Sequence, residues 1–278
     1  MKKYIIFLLF FGIKGFCQTG INTRNPHSSA ELEVQSDTKG FLPPRLTSAA
    51  ISTLSATAAE GLIVFDKDKK LFLGWDGLKW QILGNAVATT STSFASWEVN
   101  GITNYGPSPF SASTINANLS SAALSRGSGL STTGGGANDT WGGSDFNNLT
   151  LADAITNGDF FECTLNFVSG KTVSFNQINA MNIRTTNTGS TNIQWQYSIN
   201  GSTFVNIGSA YTLTSTAATG NNIPNIDLTL YYDLQNINTT STPTITFRML
   251  GFGGTANSGR TYINNISGND IEILGSVQ

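Results

Sequence analysis

The chain has 278 residues, with 15 Lys and Arg against 17 Asp and Glu and a formal net charge of −2. So weakly acidic a chain is a poor partner for nucleic acid or an anionic membrane, both of which call for basic patches. A single histidine, His27, rules out a multi-histidine zinc site within one chain.

Residues 1–18 read as a secretory signal peptide. Lys2 and Lys3 give a positive start, and Tyr4 to Ile13 form an almost unbroken apolar run. Gly15 and Cys17 place small residues before a cut at Gln18. The alternative is lipidation at Cys17, which the bulky Phe16 opposes. Loss of this segment removes Lys2, Lys3 and Lys14 and no acid, taking the net charge from −2 to −5. No other apolar run approaches the ~18 residues of a membrane span, so no membrane insertion is expected after signal removal.

Residues 19–84 carry seven basic and seven acidic side chains in 66 positions. The stretch KGFLPPRLT, Lys39 to Thr47, sets two prolines side by side. They fix two φ angles and remove two backbone donors, so this piece is neither helix interior nor central strand but a rigid extended spacer. A short helix is expected near Thr47 to Leu54. Beyond it, GLIVFDKDKKLFLGWDGLKWQIL holds three apolar segments parted by Asp66-Lys67-Asp68-Lys69 and by Asp76-Gly77. Asp-Gly between apolar segments is a strong hairpin signal, so a three-stranded meander is expected from Leu62 to Leu83. Its core is thin. Something else must cover Ile63, Phe65, Phe72, Trp75 and Trp80.

The ordered set Gly20, Ile21, Asn22, Thr23 and Pro26, then Lys39 to Arg45, then a hairpin ending in Trp80, resembles a module of bacterial secreted and phage tail-fibre-like proteins. Related fibre modules associate as trimers, and the resemblance implies a homotrimer through residues 19–84, which would supply the missing cover. The other reading is a monomeric presenter domain packed on its neighbour.

Gly84 to Ser96, GNAVATTSTSFAS, has no apolar period and reads as a linker, here bounded at 85–96. From residue 97 to 278 the pattern has period two. FFECTLNF, KTVSF, NIQWQYSI, PTITFRML and NDIEILG are short alternating segments bounded by Gly, Asn, Ser or Pro. Many short strands with regular turns mean a β-sandwich or jelly roll. The chain is therefore expected to be mainly β, a small meander module followed by a jelly-roll β-sandwich. One helix is expected, TLADAITNG, with Thr150 as cap, Asp153 completing a capping box and Gly158 ending it. Cys163 alternates with Phe161, Leu165 and Phe167 onto one face and reads as a buried apolar residue. SWEVNG, SRGSGL, NGDFFECTL, NIQWQYSINGSTF and GNDIEILG together resemble a jelly-roll module of secreted bacterial proteins, similar in layout to galactose-binding-type sandwiches. That resemblance implies a fold and a leaning towards glycan binding.

No catalytic residue is expected. His27 cannot serve a Ser-His-Asp or Cys-His arrangement in the large domain, and the Gly-rich stretches GGGANDTWGG and GFGGTANSG lack the Gly-Lys-Ser/Thr ending of a phosphate loop. Paired carboxylates among Asp139, Asp145, Asp153, Asp159 and Glu162 leave a glycosidase as the least favoured reading. The binding candidate is the loop from Gly134 to Asn148, which gathers Asn138, Asp139, Asp145 and Asn147 around Trp141. Oxygen ligands of this kind suit calcium, with Asp139 and Asp145 as its carboxylates, and an exposed Trp141 would offer a flat face to a sugar ring. Alternatively Trp141 plugs the end of the sandwich. The sequence thus points to a secreted, non-enzymatic surface protein whose sandwich meets a glycan or another surface component. The alternative is a structural subunit of an extracellular layer or fibre with no soluble ligand.

Overall fold

Gly, Asn and Ser punctuate short apolar-alternating segments along the whole chain. The computed structural model, which describes residues 18–84, 91–199 and 201–278, is accordingly mainly β. The proposed signal segment up to Cys17, residues 85–90 of the expected 85–96 linker and Asn200 lie outside the described residues. The end of that expected linker is instead part of the strand Thr92–Trp97, whose Phe94 and Ala95 are buried in the core. Two compact units are present, one ending at Pro44 and the other running from Arg45 to Gln278. The break falls on the double proline, where two successive residues have no N–H to pair.

In the first unit Thr19–Ile21 pairs in parallel with Leu32–Val34, Gly20 opposite Glu33. Asn22, at φ 60°, turns the chain out of the first strand. His27 is exposed, its Nδ1 2.7 Å from the Ser29 hydroxyl. Ile21, Leu32, Val34, Phe41 and Leu42 are all exposed.

The second unit opens with a strand–helix–strand step. Arg45–Leu46 runs parallel to Ile63–Asp66, which continues antiparallel through Leu71–Trp75 to Trp80–Ile82. The expected three-stranded meander therefore has a fourth strand, supplied by the residues that follow Pro44. The helix Ser48–Leu54 is capped by Thr47, whose side chain accepts from the Ala50 amide. It lays Ile51 over Val64, Leu73, Trp75 and Trp80, and the Trp80 indole donates to the Ser55 hydroxyl at 2.9 Å. The turn after Trp75 differs from the expected two-residue type. Gly77 has φ 93° but Asp76 does not join it. Instead the Asp76 carboxylate accepts from the amides of Leu78 and Lys79, closing a four-residue loop by side-chain bonding.

The sandwich has a six-stranded antiparallel front sheet in the order Val205–Thr212, Asn192–Ser198, Thr244–Phe252, Phe160–Phe167, Leu119–Arg126, Phe110–Ser111. The back layer holds a sheet around Thr172–Ile178, Ile271–Val277 and Thr92–Trp97, and a second of Thr140–Gly143, Thr261–Asn264, Met181–Thr185 and Asn221–Ile223. The two layers meet through edge-to-face rings. Phe94 lies 5.2 Å from Phe167, and Phe175 lies 5.1 Å from Phe247. At Gly275 any Cβ would meet the Phe94 ring at 2.1 Å, so only glycine permits this close approach. Phe161, Cys163, Leu165 and Phe167 are buried together. The helix Leu151–Asn157 has Thr150 as cap and ends at Gly158, φ 87°. Among the described residues no helix is long and apolar enough to cross a membrane.

One strand departs from simple alternation. Ile193, Trp195 and Tyr197 face the core, yet Gln194, Gln196 and Ser198 are buried as well. The Gln194 amide donates to the carbonyl oxygens of Trp195 and Ile207, across a bulge between the edge strand Val205–Thr212 and its neighbour Asn192–Ser198. Gln196 accepts from Arg248 Nε at 2.7 Å. The Phe204 ring covers that guanidinium at 3.6 Å.

Candidate functional site

The loop from Gly134 to Asn148 is built around the strand Thr140–Gly143. Trp141 on this strand has none of its surface exposed. Its ring stands 4.9 Å from Phe161, its indole N–H donates to the Pro107 carbonyl oxygen at 2.7 Å, and Arg126 lies 4.6 Å over it. It fills the layer between sheets and leaves no face open to a sugar. Asp139 and Asp145 flank the strand at its opposite ends. The extended strand between them holds their backbones apart. Asp139 instead accepts from the Gly101 amide at 2.8 Å. The Asp145 amide donates to Asn257, as does the side chain of Asn147, and Asn138 is exposed. Among the described residues no group of three or more His, Cys, Asp and Glu is placed to hold a metal.

The acids considered for hydrolysis are separated by duty. Asp153 accepts from the Thr150 hydroxyl in the helix cap. Asp159 is buried and accepts from the Asn148 amide, its carboxyl held above the usual range by burial. Glu162 sits opposite Arg248 on the neighbouring strand; burial raises its pKa and the guanidinium opposes the rise.

A junction that no local pattern announces lies between the module sheet and the sandwich. The Lys69 ammonium donates to the carbonyl oxygens of Tyr232, Asp233 and Gln235, at 2.9, 3.3 and 3.0 Å. Burial pushes its pKa down to about 8, against the pull of the Asp233 and Asp66 carboxylates. Asp66, fully buried, accepts from the Tyr232 and Ser48 hydroxyls and from the amides of Asp68 and Lys69. Burial acts to raise its pKa, but these hydrogen bonds prevail and hold it below the ordinary carboxylate value. A cleft of about 530 Å³ opens here, with Leu78 and Leu230 among its lining residues. The Tyr231 ring in it already carries the Lys79 ammonium at 5.2 Å.

The other face of the module sheet is apolar and open. Ile63, Phe72 and Leu83 are 49%, 48% and 43% exposed. The Phe65 and Phe72 rings meet edge to face at 4.9 Å. Leu83 lies over Gly74, whose missing side chain makes room for it. Of fourteen exposed large apolar side chains among the described residues, nine fall within residues 19–84, so any apolar association surface is concentrated there.

Residues 20–99 match the family model of a phage tail like trimerisation region. The match takes in the whole module and the first strand of the sandwich, well short of half the chain. No curated protein matches the chain, and no solved structure does. The tail-like resemblance of the N-terminal part is therefore supported by an independent match.

Proposed function

We propose that this is a secreted, non-enzymatic, fibre-like surface protein. Three copies are held together through residues 19–84, and the sandwich is displayed to a glycan or another surface component. The observation that carries the reading is the open apolar face of Ile63, Phe72 and Leu83, with half-buried Phe65 beside them, within a stretch that matches a trimerisation region. A face of this kind on a small sheet is stabilised when a second copy removes it from water, at roughly 25 cal/mol per Å² of apolar surface. Secretion rests on the charged-then-apolar start of the sequence. The test is the chain carrying Phe72→Glu, sized by light scattering beside the parent. Dissociation with an unchanged far-ultraviolet spectrum supports assembly through this face. An oligomer that survives the charge places assembly elsewhere.

A purely structural sandwich with no soluble ligand is the second reading. It is favoured by the burial of Trp141, which removes the aromatic platform most readily used for neutral sugars. A glycan array separates the two readings.

A further inference from the structure

Residues 97–278 hold four arginines. Three have evident partners. Arg126 donates to the carbonyl oxygens of Tyr105, Gly106 and Gly142 and lies over Trp141. Arg248 is held by Gln196 and Phe204, and Arg184 lies 5.9 Å over the Tyr262 ring. The fourth is different. Arg260 Nε is buried with no hydrogen-bond partner. Within the protein that nitrogen has no acceptor, so the guanidinium is not tied down by a side-chain partner as the other three are.

Arg260 lines a polar pocket of about 450 Å³ at a meeting of loops, within the size range of small-ligand sites. The remaining lining is Thr186, Asn187, Thr188, Thr216 and Ser258: hydroxyls and one amide, with no acid and no aromatic ring. The frame behind the guanidinium is tight. The Arg260 amide donates to the Thr186 hydroxyl at 2.9 Å, and the Thr186 amide returns to the Arg260 carbonyl oxygen at 3.1 Å. A Cβ at Gly189 would stand 2.3 Å from that same oxygen, so only glycine lets the two loops close. Gly134, at φ 85°, faces the guanidinium with no side chain to displace it.

We propose that this pocket binds an acidic sugar, its carboxylate or sulfate accepting from the Arg260 guanidinium and its hydroxyls exchanging hydrogen bonds with the Thr, Ser and Asn side chains. A planar fork of donors suits an oxyanion. Five neutral hydroxyl and amide groups around one cation suit a polyhydroxylated ring better than a bare inorganic anion. With no aromatic ring in the lining, a neutral sugar would find little to stack on. The inference deepens the display reading of the sandwich and rests on it.

The test measures binding of the full mature chain, Arg260→Gln and Thr216→Asp to polygalacturonate, dextran sulfate and plain dextran, with the mass of each sample recorded in parallel. The parent is expected to bind one of the two acidic polymers and not dextran, and which one separates carboxylate from sulfate. Both variants should bind about tenfold to a hundredfold more weakly, as for a lost charge-assisted contact, with melting and mass unchanged. Thr216→Asp, on an exposed loop, keeps the test open should Arg260→Gln fail to fold. Equal binding to dextran, variants that bind like the parent, or no binding to either acidic polymer would overturn the proposal. Binding by a chain that is monomeric would leave this site standing and the trimer reading refuted.

Discussion

The outer face of the module sheet and the outer face of the sandwich's front sheet are made by the same period-two alternation, but they end in opposite chemistry. On the module, Ile63, Phe72 and Leu83 are apolar and open, with Phe65 half-buried among them. On the front sheet, Gln194, Gln196 and Arg248 are polar and buried, each hydrogen-bonded within its own chain. A polar outer face can complete its bonds locally, and a loop residue such as Phe204 suffices to cover it. An apolar outer face has no local remedy on a sheet of four short strands. Under the proposed assembly, the difference separates a face completed within the chain from a face that a second copy would cover.

The comparison is broken most severely through the sandwich core. Trp141→Ala should cost about 3–5 kcal/mol, as for other buried aromatics, and lower the melting temperature with the oligomeric mass intact at lower temperature. A loss near zero would mean that the ring is not the filler its contacts describe.

The next effect tests whether module and sandwich unfold together. Tyr232→Phe removes a hydrogen bond to the buried Asp66 carboxylate and should cost about 1.5–3 kcal/mol. A single transition moved downward is expected for the sandwich and the module sheet from Arg45 on, because Lys69 and Asp66 tie that sheet to the sandwich. Two separate transitions would show the junction to be loose.

Cys163→Ser sharpens the sandwich side. A hydroxyl in place of a thiol that burial keeps protonated would cost about 1–3 kcal/mol without a partner. Mass and any binding should not change. Rapid labelling of the native thiol would contradict its placement in the core.

The smallest effect is in pH. Asp159, Glu162 and Asp270 in the sandwich have raised pKa values, chiefly from burial. The folded state then binds more protons than the unfolded one as pH falls from neutrality towards the ordinary carboxylate value, and stability rises over that window. Asp66 in the module is lowered, so its contribution is complete at neutral pH and is lost as pH falls through its folded value. Melting followed from pH 7 to pH 3 should therefore rise and then fall. Asp159→Asn should flatten the rise and Asp66→Asn the fall, and the opposite assignment would reverse the signs argued for these groups.

Much of this was legible from the chain alone because it is local. The alternation of FFECTLNF places Cys163, and the Thr150–Asp153 box and Gly158 bound the helix between them. What was not legible depends on residues far apart in sequence. Trp141 sits in a Gly, Asn and Asp setting that reads as an exposed loop, and only the approach of Phe161 and Pro107 makes it core. Lys69 looks like one of a solvated charge run, until Tyr232 and Asp233 arrive more than 160 residues later to bury it. Gln194 and Gln196 read as a wet face, since nothing nearby reveals the edge-strand bulge and Phe204. Arg260 was hidden in GFGGTANSGR, where the glycines speak for a loop and say nothing of the pocket. Its one available signal was scarcity, a cation in a region with only five basic residues.

The most direct measurement is the mass of residues 19–278 by sedimentation equilibrium across a range of concentrations. A complex of three chains that persists through the micromolar range is predicted, with the Ile63, Phe65, Phe72 and Leu83 face protected from solvent exchange and surface labelling. A monomer throughout that range would contradict the account, because the apolar face would then stand open with no partner to cover it.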